Sequence, residues 1–471
     1  MAHLCRRREK YDLKMSKDKR HKKVVRQRII AFIITILFLA GITYGAVRGI
    51  TYLKDSGFFE KLPKLELKAE EPEPVEEPPS EKEDDSWIAV EKEVIKDDYA
   101  DVDTSVLSED EAPSEEPDPE YDEEIEALIS NMGLEEKVAQ LFIATPEQVI
   151  DNSLTVTQAG EKTRDALTLY PVGGLVYFEQ NLEDPEQTRE MLTNTKQYIR
   201  DACGIEPFIA TDEEGGRVVR IAGHEGFDIE NVGPMADIGK AGDMDGAYNA
   251  GVTIAKYMTD LGFNLDLAPC ADVLTNKDNE AIGDRSFSSD PKIVSRLAWQ
   301  YASGLQDNGV IACYKHFPGH GSVAEDTHTT SVSLNKTKEE IFESDIIPFQ
   351  DAIANDIKMI MVSHIACPQI TGDDMPASLS HVMMTDILRG ELGYKGIIIT
   401  DSFLMEAVKS VYPDPGEAAV AAIKAGADIV LMPADFNEAY HAVLSAAASG
   451  DIEEERVNES LRRILKLKLG R

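Results

Sequence analysis

Three of the nine histidines in the chain lie close together in the stretch KHFPGHGSVAEDTH, which runs from Lys315 to His328. They are His316, His320 and His328, and the carboxylate of Asp326 precedes the last of them by two positions. The glycines and the proline between them exclude a continuous helix. Such a loop is suited to metal binding or to proton transfer, because imidazole is a frequent metal ligand and titrates near neutral pH.

A zinc site in this loop would need His316, His320 and His328 to act together. His316 and His320 flank a Phe-Pro-Gly turn, so they lack the helical i, i+4 geometry of the common zinc motif. No further ligand stands at a spacing that matches a known zinc site. The sequence therefore predicts no metal and no organic cofactor.

Proton transfer agrees better with the composition of the loop. Residues two apart in an extended segment face the same side, so Asp326 can orient His328 and stabilise its positive charge. Such a pair is a general acid–base unit. Together with a nucleophile across a pocket it would suit the cleavage of an acetal, although glycosidases normally use two carboxyl groups for that reaction.

Asp401 is the candidate nucleophile, and it ends the apolar segment IIIT. An aspartate at this position can cap the helix that follows, or it can be a carboxylate nucleophile. Position alone leaves the two alternatives even. The acid–base loop favours the nucleophile, because it supplies a catalytic partner.

Eight short apolar segments alternate with helical patterns from about Tyr121 onward, and these elements must position the reactive residues. The segments begin at Gln140, Val172, Pro207, Phe263, Gly309, Lys358, Lys395 and Ala427. Two of the helical patterns, at 247–262 and 294–309, each end in a glycine, which is a C-terminal helix signal. The alternation predicts an α/β fold, a (β/α)8 TIM-type barrel. An open doubly wound sheet stays possible, but its glycine-rich turn is missing after the first strand.

Polar residues stand at the ends of these predicted strands. In a barrel the carboxyl ends of the strands meet on one face, where active sites lie. Core strands have no structural use for charged groups there, so we interpret the placement as functional. The residues are Asp212, Asp272, Lys315, His316, Ser363, His364 and Asp401.

Charge is distributed unevenly along the chain. There are 86 acidic and 48 basic residues, and a formal net charge of -38 excludes a generic nucleic-acid binder, since phosphate contacts need clustered Lys and Arg. Residues 1–28 form a basic tail, and residues 48–120 an acidic linker rich in Pro and Glu. Between them, residues 29–47 form an uncharged apolar run of about 19 residues, long enough to cross a bilayer. The catalytic barrel is predicted at residues 121–471.

The apolar run predicts a single-pass membrane helix. Its positive flank predicts a cytoplasmic N-terminus and a barrel outside the cell. A cleaved signal peptide is the rival interpretation, but the basic region is longer than usual for one. The linker cannot bury enough apolar surface to fold, so we expect an extended stalk. The cysteines are too widely spaced for a disulfide framework, and buried thiols are expected.

Five short motifs recur in one known group of enzymes. They are KHFPGHG with the DTH that follows it, DEEGGR from Asp212, GDRSF from Gly283, PASLS from Pro376 and ITD from Ile399. Together they resemble the β-N-acetylglucosaminidases of glycoside hydrolase family 3, from about Ile125 to the C-terminus. The Asp-x-His pair is specific to this branch of the family. The family's β-glucosidases take a carboxyl acid from a second sandwich domain, which we do not expect here.

The resemblance assigns roles residue by residue. It implies that Asp401 is the nucleophile and that His328, oriented by Asp326, is the acid–base residue. We expect Arg217 to form a buried ion pair with Glu213 or Glu214. The sugar-binding residues that the resemblance implies are Asp212, Arg220, Arg285, Lys315 and His316.

The implied reaction is the retaining removal of terminal, non-reducing β-linked GlcNAc, with a carbohydrate as the partner molecule. The resemblance points to peptidoglycan fragments that carry GlcNAc-MurNAc, in cell-wall turnover or recycling at the membrane surface. A β-N-acetylglucosaminide phosphorylase is an alternative, because a histidine acid–base does not repel phosphate as a carboxylate does. A catalytically inactive wall-binding module and a metallohydrolase also stay open.

Overall fold

The computed structural model describes residues 122–151, 154–324, 327 and 330–470. The predicted basic tail, membrane helix and acidic linker lie outside these residues, and so do Asp326 and His328. No helix within the described ranges combines the length and the apolar character that a bilayer crossing requires. The anchor at residues 29–47 stays a prediction.

Eight parallel strands form the centre of the fold, and nearly all of their residues are buried, as expected for strands covered on both faces. They are β1 (Phe142–Ala144), β2 (Gly174–Val176), β3 (Phe208–Thr211), β4 (Leu265–Asp266), β5 (Ile311–Phe317), β7 (Met359–Val362), β9 (Ile397–Thr400) and β10 (Val430–Leu431). Two further strands, β6 (Val332–Ser333) and β8 (Ile365–Ala366), pair with each other beside the barrel. Each of the eight predicted segments contains one barrel strand.

The strands are hydrogen-bonded in the order β10-β1-β2-β3-β4-β5-β7-β9. A parallel bridge between Ile399 and Ile429 brings the two end strands together. At this seam Thr400 Oγ1, a side-chain oxygen, accepts the N–H of Leu431 at 3.0 Å. The sheet is therefore a nearly closed barrel, as the (β/α)8 prediction required, and not an open doubly wound sheet.

Helices precede the barrel and cover its outside. The longer ones are α1 (Glu123–Asn131), α2 (Leu134–Ala139), α3 (Glu161–Leu169), α4 (Pro185–Cys203), α5 (Met235–Ala241), α6 (Met244–Leu261), α7 (Pro291–Gln306), α8 (Ile347–Ala354), α9 (Pro415–Ala425), α10 (Phe436–Ser449) and α11 (Glu454–Lys468). Short turns of helix lie at Pro146–Val149, Lys338–Phe342, Pro368–Thr371 and Glu406–Lys409, with 3-10 turns at Glu179–Asn181, Gly283–Arg285 and Ala377–Leu379 and a π-helix at Val382–Glu391.

The glycine signals located the ends of both helices. Helix α6 ends with Gly262 in the left-handed region at φ 105°, and the N–H of Phe263 donates to the oxygen of Met258 at 2.9 Å. The last regular turn of helix α7 stops at Gln306, and Gly309 follows at φ 84°. The N–H groups of Gly309 and Val310 donate to the oxygens of Gln306 and Leu305, both at 3.1 Å, so Gly309 closes this helix as predicted.

Helices α6 and α7 approach each other closely at two glycines. A Cβ atom on Gly251 would lie 2.2 Å from the backbone oxygen of Tyr301. One on Gly304 would lie 2.2 Å from the backbone oxygen of Tyr248. The backbones could not approach this closely if either residue carried a side chain.

A buried ion cluster attaches helix α11 to the barrel. Its centre is Asp428, which is fully buried just before β10 and contacts Arg389. Asp428 Oδ1 accepts from Ser460 Oγ at 2.8 Å and from Arg463 Nη1 at 2.9 Å. Burial acts to raise the pKa of Asp428, but the surrounding arginines outweigh it and lower the pKa.

Candidate active site

A chain of ion pairs joins the C-terminal ends of β3 and β5. Lys315 Nζ lies 2.8 Å from Asp212 Oδ1 and 2.6 Å from Glu214 Oε1. Arg285 binds Glu214 with two hydrogen bonds, of 2.8 and 2.7 Å. Burial opposes the charge of Glu214, but Arg285 and Lys315 outweigh it and lower the pKa of Glu214. Glu214, Arg285 and Lys315 are therefore ionised, and their contacts with one another and with Asp212 hold the four side chains in place.

The neighbouring acid, Glu213, fixes a loop and not a cation. Its buried carboxylate accepts the backbone N–H groups of Arg220 at 2.7 Å, Ile221 at 3.0 Å and Ala222 at 2.8 Å. The hydroxyl of Tyr257 donates to it at 2.9 Å. Burial raises the pKa of Glu213, and these four donors restrain the rise. The result is a fixed loop that presents the side chain of Arg220 to the site.

The two arginines of the DEEGGR segment have different partners. Arg220 Nη2 lies 3.6 Å from Asp212 Oδ2, and its guanidinium lies 5.5 Å from the centre of the Phe178 ring. Arg217 Nε binds Asp284 Oδ1 at 2.8 Å, and this pair is about half exposed. The expectation of a buried ion pair between Arg217 and Glu213 or Glu214 is therefore wrong, because both acids are taken up by other donors.

His316, the residue after Lys315, is held by a buried carboxylate. His316 Nδ1 lies 2.7 Å from Asp272 Oδ2, and Asp272 is fully buried after β4. Burial opposes ionisation of Asp272, but the nearby histidines outweigh it and lower its pKa. An ionised carboxylate can only accept, so the ring proton sits on Nδ1. In the neutral imidazole, Nε2 is then the nitrogen that can accept a hydrogen bond from a ligand.

His320 supports the base of the same loop. Its backbone oxygen accepts Asn279 Nδ2 at 2.8 Å, and its backbone N–H donates to Asp272 Oδ1 at 2.5 Å. Its Nε2 lies 3.5 Å from Thr327 Oγ1, and burial lowers the pKa of the imidazole. Thr327 stands between Asp326 and His328. Since those two residues lie outside the described part of the chain, their catalytic roles stay predictions.

Asp401 directly follows β9, at the same end of the barrel as Asp212 and Lys315. Its backbone N–H donates to the oxygen of Val362 at 2.9 Å, and its Oδ1 accepts the N–H of Ser402 at 2.7 Å. The next helix begins at Glu406, and its N-cap is Met405. Asp401 therefore does not cap that helix, which removes the structural explanation that competed with the nucleophile.

His364 connects the loop after Asp401 to the PASLS motif. Its Nε2 lies 2.8 Å from the backbone oxygen of Ser402, so this nitrogen carries a proton and donates. In the neutral imidazole, Nδ1 then accepts from Ser378 Oγ at 2.7 Å. The imidazole thus fixes the residue next to the candidate nucleophile. Sequence reasoning placed His364 at a strand end but gave it no role.

The structure brings most of the predicted binding residues into contact. Lys315 and Arg220 both contact Asp212, and Arg285 joins Lys315 through Glu214. Because the guanidinium of Arg285 is committed to Glu214, its contact with a sugar stays a prediction. Glu214 was missed as the link, since three consecutive acids in DEEGGR do not reveal which one faces the cations.

These features define an α/β barrel whose polar site, at the carboxyl ends of the strands, combines a candidate carboxylate nucleophile with matched cations and carboxylates. Residues 133–467 match the family model described as "Glycosyl hydrolase family 3 N terminal domain". The chain belongs to glycosyl hydrolase family 3, and its fold and motifs are those of a glycoside hydrolase.

The chain is similar to individual members of this family. It is 33% identical to beta-hexosaminidase A of Pseudoalteromonas piscicida, over 68% of this chain and 56% of that protein. A solved family 3 beta-N-acetylglucosaminidase from Paenibacillus sp. str. FPU-7 is 34% identical, with a TM-score of 0.66, over 72% of this chain and 63% of that one. A solved beta-glucoside phosphorylase is 25% identical, with a TM-score of 0.65, over 75% and 62% of the two chains. This chain thus spans less than two thirds of each of these relatives.

Proposed function

We propose that the chain is a retaining exo-β-N-acetylglucosaminidase that removes terminal, non-reducing β-linked GlcNAc. The observation that carries the proposal is the likeness, across the whole barrel, to proteins named as β-hexosaminidases and β-N-acetylglucosaminidases. The polar site at the strand ends supports the same conclusion, since it offers a carboxylate nucleophile beside groups that can bind hydroxyls.

In the proposed reaction Asp401 attacks the anomeric carbon and forms a covalent glycosyl-enzyme. His328, oriented by Asp326, protonates the departing oxygen. The same imidazole then removes a proton from water, which hydrolyses the intermediate with retention of configuration. The N–H of Ser402 on Asp401 Oδ1 supports this role, because it helps to hold the carboxylate in one orientation.

The sugar would be held by Asp212, Arg220, Lys315 and His316. Asp212 accepts from sugar hydroxyls, Lys315 and Arg220 donate charge-assisted hydrogen bonds, and His316 accepts through Nε2. Each buried cation already faces a carboxylate, as the pairs of Lys315 with Asp212 and Glu214 illustrate. This charge matching favours a neutral, hydroxyl-rich ligand over an anion.

We further propose that the natural substrates are peptidoglycan fragments carrying GlcNAc-MurNAc, in cell-wall turnover or recycling. The basis is the family resemblance, together with the predicted membrane anchor at residues 29–47, which would carry the barrel outside the cell. A comparison of turnover on GlcNAc-MurNAc and on chitin disaccharide would test the preference. A higher kcat/KM on the chitin disaccharide would contradict the wall assignment and leave the GlcNAc specificity intact.

One assay tests the main proposal. A chromogenic β-GlcNAc should be hydrolysed much faster than the matching β-glucoside, and Asp401→Ala should abolish turnover with the fold intact. The matched control is Asp451→Asn, at an exposed pair with Lys424, which should retain full activity. A 2-substituted or 5-fluoro sugar should label a peptide that contains Asp401. Preferred hydrolysis of the glucoside, or a label on another residue, would overturn the assignment.

Phosphorolysis is the second candidate, and the likeness to a β-glucoside phosphorylase is the observation that favours it. Incoming phosphate would need a cation without a carboxylate partner, and the pairing of Lys315 and Arg285 argues against one. Product analysis with and without phosphate distinguishes the two reactions. GlcNAc as the main product in both cases supports hydrolysis, whereas GlcNAc-1-phosphate in the presence of phosphate would displace it.

A further inference from the structure

Three potential metal ligands of different chemistry lie together beside the sugar-binding residues. Cys270 Sγ is 3.2 Å from Asp272 Oδ2, and the same oxygen is 2.7 Å from His316 Nδ1. All three ligand atoms lie within 4.8 Å of one another. Bonds of about 2.0–2.3 Å from Zn²⁺ to O, N and S place tetrahedral ligands about 3–4 Å apart. The spacing therefore suits a single ion with little movement of the side chains.

The three side chains are held by strand pairing. Cys270 forms a parallel bridge with Lys315, and the N–H of Ala271 donates to the oxygen of Lys315 at 2.7 Å. These contacts fix the segment that carries Cys270 and Asp272 against the segment that carries His316. All three side chains are buried, with His316 the most exposed at 7%. The ligand positions are thus largely preformed.

The donor set selects the kind of ion. A thiol is a weaker hydrogen-bond donor than a hydroxyl. If Cys270 served only to support Asp272, a side chain with a stronger donor would be expected at this position. Sulfur, imidazole nitrogen and one carboxylate oxygen together favour Zn²⁺ over Mg²⁺ or Ca²⁺, which prefer all-oxygen sites. A thiolate and a carboxylate would also balance the two positive charges of the ion.

We propose that Cys270, Asp272 and His316 bind a thiophilic divalent cation such as Zn²⁺, and that the bound ion inhibits the enzyme. On binding, the thiol proton leaves to solvent and the imidazole proton moves from Nδ1 to Nε2, because the ligand forms are thiolate and a bare Nδ1. Three protein ligands leave a fourth position for water. The earlier expectation of no metal weighed His316 only with His320 and His328, whereas these partners come from the segment after β4.

Inhibition follows from the shift of the imidazole proton. Nε2 of His316 changes from an acceptor into a donor, and the hydrogen bond that fixes the ring to Asp272 is replaced by a bond to the ion. This part rests on the proposed sugar contact of His316. The binding itself does not depend on the proposed function.

A spectroscopic test of the site uses Co²⁺ in place of Zn²⁺ on the full chain. The unmodified protein should show a thiolate-to-cobalt charge-transfer absorption that added Zn²⁺ removes. Cys270→Val should lose the band. Cys270→Ser keeps the size of the side chain and should also lose the band, so it provides the test if the valine variant fails to fold. Cys203→Ser removes a half-buried thiol elsewhere and should keep the band. A band that survives in Cys270→Ser, or no band in the unmodified protein, would overturn the site.

An activity test then addresses inhibition. Zn²⁺ should inhibit hydrolysis of the chromogenic β-GlcNAc reversibly, and EDTA should restore the rate. In Cys270→Ser the inhibiting concentration should rise at least about tenfold, since even outer-shell changes weaken metal binding that much. A Cys270-dependent cobalt band without inhibition would refute the inhibitory role alone. An inactive metal-free protein with an intact band would refute the proposed function and leave the metal site standing.

Discussion

His316 and His320 share one loop but have different partners, and their partners indicate different roles. The ring of His316 is oriented by Asp272, whereas the ring of His320 is enclosed by Asn279 and Thr327. These contacts predict that His320 positions the loop and does not transfer a proton to the substrate. A leaving-group comparison separates such positioning from acid catalysis.

We expect His328→Ala to lose far more rate on an alkyl or sugar aglycone than on nitrophenolate. A poor leaving group needs a proton in the transition state, and nitrophenolate departs unaided. The measurement is kcat/KM on both substrates, and Asp326→Ala should show the same pattern more mildly. His320→Ala is the matched control and should slow both substrates alike. If His328→Ala also slowed both equally, another residue would have to be the acid.

At the scale of the elements, the close contact of α6 and α7 is a test of packing. Gly304→Ala should destabilise the protein by about 1–3 kcal/mol, because the new Cβ meets backbone and the helices must separate. Gly251→Ala should act in the same way from the other helix. Denaturant unfolding measures the loss, with the exposed Asn249→Ala on α6 as control. Unchanged stability in both glycine variants would show that the helices can move apart freely.

The ion cluster around Asp428 predicts a pH dependence of stability. A carboxylate whose pKa is lowered in the fold stabilises it above the unfolded pKa of about 3.9, and this stability is lost as the pH falls through the folded pKa. Asp428→Asn should flatten the acid side of the stability profile. It should also cost about 3–5 kcal/mol at neutral pH, since buried arginines lose their partner.

Denaturant midpoints measured from pH 7 down to about pH 2 would check this expectation. Asp451→Asn breaks an exposed pair with Lys424 and should leave the profile almost unchanged, because surface pairs contribute little. Parallel profiles for Asp428→Asn and the unmodified protein would contradict the proposed linkage.

The elements were more predictable from the sequence than the contacts between them. Barrel strands are buried on both faces, so apolar runs ending in polar residues located all eight. The strands β6 and β8 escaped prediction because two residues carry no period. The different roles of Glu213, which binds loop N–H groups, and Glu214, which binds cations, could be assigned only from the fold. Adjacent residues of the same type face different partners. The local sequence pattern suggested Asp401 as a nucleophile. The alternative that it caps a helix was removed only by the structure, in which the next helix begins at Glu406.

For the whole molecule, the predicted anchor at residues 29–47 would place the barrel outside the cell. Protease added to intact cells should therefore digest the barrel or the linker, because both would face the medium. Immunodetection of the barrel before and after lysis measures the topology, with a cytoplasmic protein as control. Protection of the chain until the cells are lysed would contradict this orientation.

The seam between β9 and β10 has a consequence for how the barrel opens in solution. Backbone hydrogen bonds cross this seam around the bridge, but the hydroxyl of Thr400 takes the N–H of Leu431 where a ladder carbonyl would otherwise do so. Barrel amides at such an irregular joint exchange with deuterium through local opening, before the amides of regularly paired strands. We expect the Leu431 amide to exchange sooner than that of Ile360 in β7, and Thr400→Val to hasten it further. Since Asp401 follows Thr400 directly, each such opening should also displace the carboxylate of the proposed nucleophile, so we expect the lifetime of the closed seam to limit the lifetime of the competent site.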